Sequence, residues 1–165
     1  MRPALAFDDR EMVFLRELRR NKVEFMIVGL AAAALQGAPM VTQDIDLWFR
    51  DIETEGLRKA LRKVGGIWVP SVGMNPPMFA GKAVEAFDIV LTVHGIGRFD
   101  RERANIVEIS LGDFTVPALR LDRIIASKTW LNREKDRMVL PALRSAAVAL
   151  EAGTRRKSRK RASPP

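Results

Sequence analysis

The chain has 165 residues, 47% apolar and 29% charged, with no cysteine and a formal net charge of +8. Those values fit one globular domain, rule out disulfides and thiol metal ligands, and leave no apolar run long enough to cross a bilayer. The charge is uneven. Arg155, Arg156, Lys157, Arg159, Lys160 and Arg161 lie in an acid-free final stretch of eleven residues, so the rest of the chain carries 22 basic and 20 acidic side chains. Residues 1–153 are therefore read as the domain and residues 154–165 as a basic, disordered and solvated tail. The N-terminal segment meets Asp8 and Asp9 before any long apolar stretch, unlike a secretion signal, and a chain without cysteine suits a reducing cytoplasm.

In chain order, Asp8 or Asp9 caps a predicted helix running to Asn21, with Met12, Phe14, Leu15 and Leu18 inward. Val23 to Val28 is a short apolar strand ending at Gly29, and Leu30 to Gln36 is an Ala-rich helix stopped by Gly37 and Pro39. Gln43 to Phe49 alternates as a strand, with Ile45, Leu47 and Phe49 on one face and Asp44, Asp46 and Trp48 on the other. Glu53 to Val64 has helical spacing and ends at Gly65-Gly66. Ile67 to Val72 is a strand, 73–77 a loop, Phe79 to Val84 a hairpin arm and Glu85 to Val93 a second long strand. Arg98 to Arg103 forms a short helical turn. Ile106 to Ser110 and Phe114 to Val116 are strands joined by a tight turn at 111–113, Pro117 opens a helix to Trp130 or Leu131, and a last helix covers Glu134 to Glu151. Strands after residue 66 follow one another too closely for crossover helices, so the fold class is α+β, a mixed sheet flanked by helices with C-terminal helices.

Asp44 and Asp46 interrupt an apolar strand two residues apart, so both carboxylates leave one face. Asp88 interrupts another apolar strand, Ala86-Phe87-Asp88-Ile89-Val90, where packing alone favours a hydrophobe. Taken singly, each is more often a wet residue on an edge strand. Taken together they make an oxygen-rich site for Mg²⁺ or Mn²⁺, able to clamp a nucleoside triphosphate. Trp48, on the same face, is a candidate for stacking on a base, with packing its commoner fate. His94 is read as a loop residue.

In this order the residues resemble the nucleotidyltransferase superfamily, in particular the small bacterial branch of AbiEii-type toxins and minimal nucleotidyltransferases. The resemblance rests on 25–31 with Gly29, on Gly37, on Thr42-Gln43-Asp44-Ile45-Asp46-Leu47, on Phe87-Asp88-Ile89-Val90, and on Lys128 with Arg133-Glu134-Lys135-Asp136. It implies transfer of a nucleoside monophosphate from a triphosphate to a hydroxyl on RNA, protein or a small molecule. Asp44, Asp46 and Asp88 would be catalytic and would bind the metal, while Gly29, Leu30, Thr42 and Lys128 would meet the nucleotide. It further implies an antitoxin partner and no membrane. Leu30 stands where the family has a small residue, and Met40 where it has an arginine, so the expected phosphate-binding motif is atypical. The alternative is the same fold kept as an inactive module that binds nucleotide, RNA or protein.

Overall fold

The computed structural model describes residues 6–162. Asp8 caps α1 (Asp9–Arg20) through a capping box in which its side chain accepts from the Arg10 and Glu11 amides while Glu11 reaches back to the Asp8 amide. There follow β1 (Phe25–Ile27), α2 (Gly29–Leu35), β2 (Ile45–Phe49), α3 (Glu55–Lys63), β3 (Ile67–Val69), β4 (Met78–Ala80) and β5 (Phe87–Val90). The chain ends in α4 (Phe99–Glu102), β6 (Ile106–Ser110), β7 (Thr115–Leu119), α5 (Leu121–Leu131) and α6 (Glu134–Ala162). Five strands form one mixed sheet in the order β5-β2-β1-β7-β6, and β3 and β4 pair separately as a hairpin. The expected α+β class is therefore what is found, and among the described residues no helix is long and apolar enough to span a membrane.

The central strand β1 is buried at every position, as a strand covered on both faces must be. β1 runs antiparallel to β2 and parallel to β7, and β2 runs parallel to β5. Strand alternation then sorts the side chains. Phe87, Phe49 and Phe25 fall on the face covered by α1, where Phe14 packs against Phe87 and Phe79. Asp46 and Asp88 fall on the opposite face.

Two expectations need correction. Pro117 does not open a helix: β7 continues through it to Leu119, and the helix begins at Leu121. Backbone bonds from Arg120 to Asn105 and from Leu111 to Phe114 frame the β6–β7 ladder. By alternation, Glu108 and Pro117 form a pair that exchanges no hydrogen bonds, so β6 needs no N–H from the proline. The last helix, expected to stop near Glu151, runs to Ala162 and takes in nine residues of the segment read as a tail; residues 148–162 are exposed throughout.

Candidate active site

β2 and β5 align in parallel register, with Asp46 opposite Asp88. Opposed residues on neighbouring strands share a face, with backbones about 4.8 Å apart, so the two carboxylates stand side by side. Asp44 precedes β2 on the same side of the alternation, and the Thr42 hydroxyl donates to its carbonyl at 3.0 Å, ordering the approach to the strand. Asp46 is half-buried, whereas Asp44 and Asp88 are exposed. Burial, with the negative charges of Asp88 and Asp44, raises the Asp46 pKa to about 6. Burial and the Asp44 charge also push Asp88 above the usual carboxylate value.

Gly29 closes the site from the other side. Its φ is +64°, and a Cβ there would run into the Asp46 carboxylate. The Val28 amide donates to the Asp46 carbonyl at 2.9 Å, which pins the start of α2 against β2. Glycine is therefore required twice, for its dihedral and for its missing side chain.

A cleft of about 270 Å³ opens here, lined among others by Gly29, Asp46, His94, Ser127, Lys128 and Arg133. Its far wall is α5 with the start of α6. Ser127 donates to the His94 carbonyl at 2.6 Å, and the His94 ring stacks on Trp130 with centroids 6.2 Å apart, so the loop after β5 is tied to α5. Asp136 is fully buried in the first turn of α6. It accepts from Lys128 Nζ at 3.2 Å, from Arg133 Nε at 2.7 Å and Nη2 at 3.2 Å, and from the Arg133 amide at 3.2 Å. The hydrogen bonds from Arg133, helped by Lys128, outweigh the cost of burial and hold Asp136 at a pKa of about 2. Positive charge from Lys128 and Lys135 also reaches Asp46, opposing the rise in its pKa.

The structure places Gly29, Asp46 and Lys128 on one cleft, with Asp88 beside Asp46 in the strand register and Asp44 just before β2. Thr42 acts on the backbone before Asp44. Leu30 packs against the core. Met40 is a core residue at 8% exposure, so an arginine at that position would have to be accommodated among apolar neighbours. Trp48 is buried at 2% exposure, with its indole N–H on the Leu91 carbonyl and its ring edge-on to Phe99, and so is packed away from any base. Arg133 and Asp136 entered the sequence reading only through the family resemblance, and Ser127 was given no role. The signal available was an Arg and an Asp three residues apart at a helix start, directly after a left-handed cap at Asn132.

Clustered carboxylate oxygens are the donor set of a hard divalent cation. Among the described residues no three acidic or imidazole groups already stand together as a ligand set. Asp44 and Asp88 are exposed beside the half-buried Asp46, and the three offer only carboxylate oxygens as donors. The donor chemistry therefore fits Mg²⁺ or Mn²⁺.

No protein-family model matches the chain, and no curated protein matches it. Among solved structures, ANT(2'')-Ia in complex with adenylyl-2''-tobramycin superposes with a TM-score of 0.54 at 14% identity, over 92% of this chain and 96% of that one. A solution structure of the antibiotic-resistance factor ANT(2'')-Ia gives 0.49 at 16% identity, over 89% and 96%. The first of these likenesses shows that the chain has the nucleotidyltransferase fold.

Proposed function

We propose that this chain is a divalent-metal-dependent nucleotidyltransferase that moves a nucleoside monophosphate from a triphosphate to a hydroxyl group. The observation that carries the reading is the parallel register that sets Asp46 beside Asp88, at a cleft whose other wall presents Lys128. Asp44, Asp46 and Asp88 would hold a Mg²⁺ ion, which when bound neutralises phosphate charge. Gly29 gives the triphosphate room beside Asp46, and Lys128 offers it a positive charge held in place by Asp136. Asp88, exposed and with its pKa raised, accepts the proton of the acceptor hydroxyl. The hydroxyl oxygen then bonds to the α-phosphorus, the bond to the bridging oxygen breaks, and pyrophosphate leaves.

Acceptor classes to test are RNA, protein and small molecules, and the adenylyl-2''-tobramycin bound to ANT(2'')-Ia makes tobramycin a reasonable small-molecule probe. Incubation with Mg²⁺, each α-labelled triphosphate and each acceptor class is expected to give a labelled acceptor, and Asp44→Asn with Asp46→Asn to remove the label. Triphosphate binding with no labelling of any acceptor, unchanged by those substitutions, would leave the chain as a binding module of the same fold.

A further inference from the structure

The C-terminal part of α6 has a charge pattern that the cleft does not use. Arg155, Arg156, Lys157, Arg159, Lys160 and Arg161 lie on a continuous exposed helix, and no acid follows Glu151. At about 100° per residue, these six cations cover roughly 240° of the helix circumference. Two like-charged pairs, 156/160 and 157/161, sit four residues apart and repel along the helix surface. Such a segment gains most from a partner that supplies negative charge on more than one side.

A membrane surface is a poor match. An interfacial helix needs an apolar face, and residues 151–162 contain no apolar side chain larger than alanine. Single-stranded nucleic acid is also a poor match, because its binders add aromatic platforms and this segment has no aromatic residue. The major groove of B-form DNA fits better. It is about 12 Å wide, it admits a helix about 10–12 Å across, and phosphates line both of its walls. The groove of an A-form duplex is too narrow for this.

We propose that residues 154–162 form a helical arm that lies in the major groove of duplex DNA and binds its phosphates without reading sequence. The arm begins about 27 Å along α6 from Asp136, so DNA on it leaves the nucleotide cleft accessible. Backbone binding of this kind is governed by counterion release. The affinity of the full chain for a labelled 20-base-pair DNA, followed by anisotropy, is expected to fall with salt at a logarithmic slope near −5. That corresponds to a loss of about 10³-fold between 50 and 200 mM salt. Replacing all six cations by glutamine is expected to bring the slope close to zero with an unchanged melting temperature, since these side chains lie outside the core. Ser158→Pro keeps every charge but breaks the helix, and is expected to weaken binding about tenfold. Equal binding by Ser158→Pro would show an unstructured polycation and overturn the groove assignment. So would tighter binding to an RNA duplex, to single strands or to vesicles rich in phosphatidylserine. Unchanged DNA affinity in the six-glutamine variant would overturn the arm itself.

Discussion

Asp46 and Asp136 stand beside the same cleft, both are carboxylates withdrawn from water, and they are pushed in opposite directions. Asp136 is enclosed by Lys128, Arg133 and a backbone amide, and its pKa falls to about 2. Asp46 is enclosed by a core strand and two further carboxylates, and its pKa rises to about 6. Burial alone raises both. The difference lies in the compensation: Asp136 has its cations in hydrogen-bond contact, whereas Asp46 has two carboxylates beside it that the charges of Lys128 and Lys135 only partly oppose. Glu102, far along the chain from either, repeats the Asp136 solution. Buried at 1% exposure, it is held near a pKa of 2 by Arg123, with help from the Gly97 amide and Asn105. Among the described residues the two buried carboxylates, Asp136 and Glu102, come with cationic partners, and the half-buried Asp46 is the exception in having like charges beside it. In a fold of nucleotidyltransferase type, the exception falls where the proposed chemistry needs it.

The contrast can be broken at either end. Asp136→Ala should have the larger effect, a loss of about 2–4 kcal/mol in urea unfolding, because it strands Lys128 and the Arg133 amide around a buried gap. Stability unchanged by that substitution would mean that Asp136 is not the anchor its hydrogen bonds imply. Asp46→Asn should have the opposite sign. A carboxyl whose pKa is raised in the folded state is held protonated there at pH values where the unfolded chain has already lost the proton. Its ionisation therefore costs stability progressively as pH climbs from about 4 to about 6, and in full above that. Without divalent metal, the asparagine variant should gain about 1–2 kcal/mol at pH 7 after allowance for solvent screening, and nothing at pH 4. Equal stability of the two proteins at pH 7 would show that the Asp46 charge is already compensated. The mildest test leaves the sequence intact. Binding of Mn²⁺ must displace the proton from Asp46, so its affinity should drop by up to about tenfold per pH unit below pH 6 and level off above it. A flat profile from pH 5 to 7.5 would place the cation elsewhere.

Much of the fold was legible in the chain itself. The cap at Asp8 or Asp9, the alternation of 43–49 and the Ala-rich run after Gly29 each specify their element locally, and each is found within two residues of its expected limits. Pro117 misled because proline is favoured at a helix start, while its acceptability in a strand depends on which side of the ladder lacks a partner. That is a property of the strands on either side of β7, not of the residues around 117. Trp48 took the packed fate that was the commoner expectation for it. Alternation put it on the carboxylate face, and it lies there, but Phe99 and the Leu91 carbonyl cover it from elements distant in sequence.

The sequence by itself determined that Asp44 and Asp46 share a face, because strand periodicity is local, and that Asp88 sits at an unusual polar position within a core-type strand. Only the tertiary structure decided that β5 lies next to β2, in parallel and with Asp46 against Asp88. Strand order and register follow from how the whole sheet buries its apolar faces. Only the tertiary structure, too, showed that Asp136 is buried and ion-paired whereas Asp46 is not. A carboxylate's charge is written in the sequence, but its compensation depends on which elements fold against it.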